Sequence, residues 1–164
     1  MPAQIIFPIH LVLGYAAALL ALGAYAFPRL RAMEPVAAQR AIATLHSFRF
    51  FGLVFILPGV VEPGLPQSFA PFAAYGDFAT GVLALAALSA IRIKPLFWLL
   101  VVAYNVVGAT DIVLDYAHAI AAGLPAEAGR LGAAYAIPVL YVPALMITHL
   151  FAFYLMARRR PGTA

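Results

Sequence analysis

The chain has 164 residues, 65% of them hydrophobic and 10% charged, with a mean hydropathy of +0.98 and a formal charge of +4. Soluble domains average about 45–50% apolar and about 25% charged residues, and a fold this small leaves too much surface in water to hide such a surplus. A water-soluble globule and a disordered chain are thereby excluded, and lipid is the expected solvent.

A spanning helix needs about 20 mostly apolar residues, and five stretches meet that length. The first, 4–28, places His10, Gly14, Ala17 and Ala21 along a narrow seam. Its Ala24-Tyr25-Ala26 mimics a cleavage site, but no basic residues precede it and the apolar run is too long for a signal core. We read it as a retained helix. The second stretch, 40–61, sets His46, Arg49 and Gly52 three apart, hence on one face. The third, 70–91, presents Asp77, Thr80, Gly81 and Ala84 in the same way. The fourth, 95–120, carries Asn105 and then Asp111, Asp115 and His118 at i, i+4, i+7 spacing, with its outer end expected near the interface. The fifth, 132–157, contains Pro138 and Pro143, which should kink it, and also Thr148 and His149.

Basic residues set the orientation. Arg29, Arg31 and Arg40 fall between the first two stretches, Arg92 and Lys94 between the third and fourth, and Arg158, Arg159 and Arg160 after the fifth. The opposite side holds Arg130 with Glu62 and Glu127. The fold expected is an all-α polytopic membrane bundle, one domain over 1–164, with five transmembrane helices, the N-terminus outside and the C-terminus cytoplasmic. The expected location is the bacterial inner membrane. The basic excess is a topology signal, so nucleic acid is not a partner. Abundant alanine and glycine seams suit close helix packing, with a membrane-protein partner or a second copy as candidate neighbours.

Ionisable groups are expensive in hydrocarbon and persist where they face a bundle interior or a wet cavity. Every stretch carries its polar residue on its small-residue face. The expectation is therefore an interior cluster in which Asp77 or Asp111 counters Arg49. Arg49, Asp77, Asn105, Asp111 and Asp115 form the candidate site for a ligand, a proton or a cation, or the core of an accessory subunit of a membrane complex. The alternative is a haem b or pigment protein, since bis-histidine ligation needs facing imidazoles from different helices. His46 with His149, and His10 with His118, supply two such pairs. A third reading places a divalent cation on Asp111, Asp115 and His118. No cysteine is present, which removes thiolate catalysis and cysteine-bound metal. No serine nucleophile stands beside a base, and the sequence leans away from an enzyme.

The run Phe48-Arg49-Phe50-Phe51-Gly52-Leu53-Val54-Phe55-Ile56-Leu57-Pro58-Gly59, followed by Leu65-Pro66, Phe69, Gly76-Asp77 and Gly81, resembles the motifs of DoxX-like bacterial membrane proteins over roughly residues 46–118. The resemblance implies a helical membrane bundle, usually of four helices, in a family some of whose members accompany quinone-linked redox complexes. It also implies that Arg49 and Asp77 are the signature polar pair. This chain departs from the pattern by its additional first stretch and by aspartate at 77, where glutamate is commoner.

Overall fold

A computed structural model describes residues 2–66 and 68–158. Arg159 and Arg160, counted above for orientation, lie outside the described residues. All regular elements among the described residues are helical: α1 (Ala3–Ala32), α2 (Pro35–His46), α3 (Ala70–Ser89), α4 (Lys94–Ala121) and α5 (Ile137–Ala157). Four of them, α1, α3, α4 and α5, are long and apolar enough to cross a membrane.

The stretch expected as a single span over 40–61 is built differently. Its first part is α2, started by Pro35 and capped by Glu34, whose carboxylate accepts from Ala37 N at 3.0 Å. From Ser47 to Ile56 the chain tightens into a 3₁₀ helix, longer than the three or four residues usual for that form. The reason is legible in the spacing. His46, Arg49, Gly52 and Phe55 are all buried and recur every three residues. At 3.6 residues per turn such a row drifts around the helix; at 3.0 it stays in register along one edge. That edge lies against α3. A Cβ added at Gly81 of α3 would come 2.9 Å from the Phe50 nitrogen, so only glycine lets the two backbones approach this closely.

Other boundaries shift for similar local reasons. The 132–157 stretch begins in a second 3₁₀ segment, Leu124–Tyr135, that is broken at Gly132 (φ +51) against the Val60 carbonyl. A wide π-helical turn, Ile137–Tyr141, then opens α5 around Pro138, while Pro143 sits in the first turn of its α-helical part. α4 is continuous to Ala121, so its C-terminal end is ordinary helix. At that end the 57–66 loop and the second 3₁₀ segment clasp each other: Glu62 N donates to Arg130 O at 2.9 Å, and Arg130 Nη1 donates to Gly64 O at 3.1 Å.

α1 stands at the side of the bundle. Phe7 and Gly14 are its buried residues, and Gly14 takes the Val139 carbonyl of α5 where any side chain would collide. The remaining helices enclose two apolar cores. One surrounds Phe55, Phe69, Ile112, Leu131 and Leu145; the other surrounds Ala84, Phe97, Val101 and Tyr104. On α4 the polar residues Asn105 and Asp111 fall in the gap between these cores.

Candidate functional site

Arg49 occupies that gap, with no exposed surface. It reaches the bundle centre because the 3₁₀ edge points it between α3, α4 and α5. Its planar fork has five N–H donors, and four hydrogen bonds with one further ion-pair contact tie it to protein acceptors. Nε donates to Asp77 Oδ1 at 2.6 Å, and Nη2 lies 2.6 Å from both Asp77 Oδ1 and Asp111 Oδ2. Nη1 donates to the Gly108 carbonyl at 3.1 Å and to His149 Nε2 at 3.2 Å. Asp77 and Asp111 are themselves 3% and 6% exposed. The expectation that one of these aspartates counters Arg49 is thus met by both at once.

The network continues toward the basic end of the bundle. His149 accepts from Arg49 at Nε2, so its proton sits on Nδ1 and goes to Asn105 Oδ1 at 2.9 Å; Asn105 in turn donates to Val101 O at 2.8 Å. His46 lies over His149 with ring centroids 3.9 Å apart and planes 30° from parallel. Its Nε2 is 3.1 Å from Thr148 Oγ1, whose own hydroxyl donates to the Ala144 and Leu145 carbonyls. His46 is therefore the donor to Thr148. Asn105, His46, Thr148 and His149 are all buried.

In the other direction the polar residues thin out. Asp115 lies one turn beyond Asp111, half-buried, and its Oδ1 is buried without a hydrogen-bond partner among the described residues. Asp115 and Asp77 both line a cavity of about 30 Å³ closed by Phe55, Phe69, Tyr116 and Leu124. That is room for a water molecule. Tyr116 reaches Tyr15 of α1, hydroxyl to hydroxyl, at 3.1 Å.

The histidine pairs need correction. His46 and His149 do meet, but as a face-to-face stack at 3.9 Å. Axial haem ligation needs the two imidazoles edge-on to an iron between them, and no porphyrin fits between stacked rings. His10 and His118 do not form a pair: His10 Nδ1 is 2.8 Å from the Tyr135 hydroxyl, and His118 packs on the Phe72 ring at 4.3 Å. Asp111 faces Arg49 while His118 faces Phe72, so these residues of α4 do not converge. Among the described residues no three His, Asp or Glu side chains are placed to hold a metal ion.

One participant, Gly108, escaped the sequence reading. Gly108 enters through its carbonyl and through its missing side chain: a Cβ there would lie 2.6 Å from both Arg49 Nη1 and His149 Nε2. Gly76, named above through the Gly76-Asp77 motif, makes room for the Asp111 carboxylate in the same way. The signal available was the i, i+3, i+6 row Asn105, Gly108, Asp111, in which the glycine marks a close approach.

An all-helical bundle of membrane-spanning proportions, closed around a buried arginine and an excess of carboxylate, is the class that fold and site define. Within it, the chain belongs to the family described as Domain of unknown function (DUF8737), whose model matches residues 6–157. Neither the curated proteins nor the solved structures yield a match to the chain.

Proposed function

We propose that this protein is a multi-pass protein of the bacterial inner membrane whose central cluster binds a proton or a small monovalent cation entering past Asp115. One observation carries the reading. Arg49 is fully buried and makes four hydrogen bonds to protein acceptors, while two buried carboxylates face its single positive charge. With both ionised, the cluster holds one negative charge more than it balances, and an uncompensated buried charge is costly. A proton or cation on the carboxylates removes the imbalance. Asp115, with its unpartnered oxygen beside the cavity it shares with Asp77, is the entry residue.

Five spans, with the N-terminus outside and the C-terminus cytoplasmic, belong to the same proposal. Right-handed helical backbone runs through the α2–3₁₀ junction at His46 and Ser47. At about 1.5 Å and about 2.0 Å rise per residue this 22-residue rod reaches roughly 38 Å. That exceeds a hydrocarbon core of about 30 Å, so the rod supports a crossing between α1 and α3. The Arg49–Asp77 contact also joins the two motifs that carry the DoxX-like resemblance, which supports reading them as its polar pair.

Infrared spectroscopy of the protein reconstituted in liposomes tests the site. The expected result is a buried carboxylic-acid C=O band that shifts in D₂O, titrates with external pH and changes in Asp115→Asn and Asp111→Asn. Loss of that band on adding sodium at constant pH identifies the cation form. A spectrum with no protonated carboxyl and no response to pH or sodium overturns the proposal.

A further inference from the structure

We infer that the basic end of the bundle holds a seat for the headgroup of an anionic phospholipid, formed by Arg31 of α1 and Arg158 at the end of α5 with Trp98 of α4 beside them. The two arginines line one pocket of about 280 Å³ between the end of α1, the start of α2, the start of α4 and the end of α5. This volume lies near the lower end of ligand cavities, about 300 Å³. A phosphodiester and part of its glycerol fit; a whole lipid does not.

The charge arrangement selects the ligand. Both arginines are exposed, and among the described residues neither has a carboxylate partner. Glu34, the acid nearest in sequence, is occupied as the cap of α2 and does not line the pocket. Arg158 is held in place by Tyr154, donating to its hydroxyl at 2.7 Å and lying 5.4 Å from its ring centroid, which leaves its other donors available. Leu30, Met33 and Leu155 complete the wall with apolar surface. A site lined by two cations and by aliphatic side chains matches an amphiphile whose head is anionic, and basic pockets between helices at the cytoplasmic surface are where such heads lodge. This inference requires the membrane setting proposed above but is independent of any proton or cation at Asp111 and Asp115.

Trp98 is the only tryptophan in the chain, so its fluorescence reports on the pocket directly. Short-chain phosphatidylglycerol, phosphatidylcholine and inorganic phosphate are titrated in turn into detergent-solubilised protein. Phosphatidylglycerol is expected to give a saturable change at a concentration about tenfold or more below phosphatidylcholine. Arg31→Gln/Arg158→Gln should abolish that preference. Arg40→Ala/Arg92→Ala removes as much charge from the same end without touching the pocket and should keep it, as should Asp111→Asn. Equal responses to the two lipids, or equal loss in both double variants, overturn the seat in favour of diffuse attraction. Saturation by phosphate alone at the concentration of the lipid overturns the lipid as its occupant.

Discussion

Gly76 of α3 and Asp111 of α4 meet so closely that any side chain at 76 would fall on the Asp111 carboxylate. The absent Cβ is what allows Asp111 to stand beside Arg49 while Asp77, the next residue along, reaches it from the other side. Gly76→Ala is therefore expected to push Asp111 off the guanidinium and to cost about 1–3 kcal/mol, the usual range for overpacking. Gly23→Ala, where nothing lies within 4 Å, should change stability by less than about 0.5 kcal/mol. Unfolding both variants by SDS titration in mixed micelles measures the contrast, and equal midpoints would contradict it.

Arg49 itself should be the most sensitive polar position. Arg49→Ala leaves two buried carboxylates with no counter-charge, and breaking a buried pair this way costs about 3–5 kcal/mol. Arg49→Lys keeps the charge but has three donors and no fork, so the Gly108 carbonyl and His149 Nε2 cannot both be served together with two aspartates. Its loss should be intermediate. The same SDS titration ranks the three proteins, and an Arg49→Ala midpoint equal to that of the parent refutes the assignment.

The architecture of this centre was partly legible before any coordinates. The polar spacing named Arg49, Asp77, Asn105 and Asp111, and all four converge, because hydrocarbon gives an ionisable side chain nowhere else to turn. Length and apolarity recovered α1, α3, α4 and α5. What the spacing hid was the form of the 47–56 segment. A row at intervals of three reads as one face of an α-helix, and only its persistence through Phe55 marks a 3₁₀ edge. Histidine depth gave the right neighbours for His46 and His149 but not their stacking, since ring orientation depends on Thr148 and Asn105. The pairing of His10 with His118 failed because Tyr135 and Phe72, aromatic residues with no polar periodicity, claim them.

Neutralising one aspartate should be cheaper than removing the arginine. In Asp111→Asn the side chain still accepts from Arg49 Nη2, and Asp77 then balances the guanidinium one to one. A loss below about 2 kcal/mol follows, in the range of a single hydrogen bond weakened from charged to neutral. Adding Asp111→Asn to Arg49→Ala should recover part of the stability lost in the single variant, because one of the two stranded charges disappears. A double-mutant cycle in detergent gives the coupling directly, and strictly additive losses would mean that the two side chains do not share a charge balance.

The stacked histidines should carry opposite tautomers. His149 receives the Arg49 Nη1 proton at Nε2 and gives its own from Nδ1 to Asn105, whereas His46 gives from Nε2 to Thr148. The His46 Nδ1, buried and without a partner among the described residues, is then a bare lone pair rather than a stranded N–H. Nitrogen-15 NMR of histidine-labelled protein in micelles separates the two forms, because protonated and unprotonated ring nitrogens resonate far apart. The expected spectrum shows one Nδ1–H and one Nε2–H imidazole from the buried pair. Thr148→Val removes the acceptor that fixes His46, so its tautomer should become mixed while His149 stays locked between Arg49 and Asn105. Asn105→Leu should act on His149 instead, costing about 1–3 kcal/mol for the Nδ1–H left buried without an acceptor. An Nε2–H tautomer at His149 in the parent protein would mean that Arg49 does not donate to it, and an Nδ1–H tautomer at His46 that His46 does not donate to Thr148.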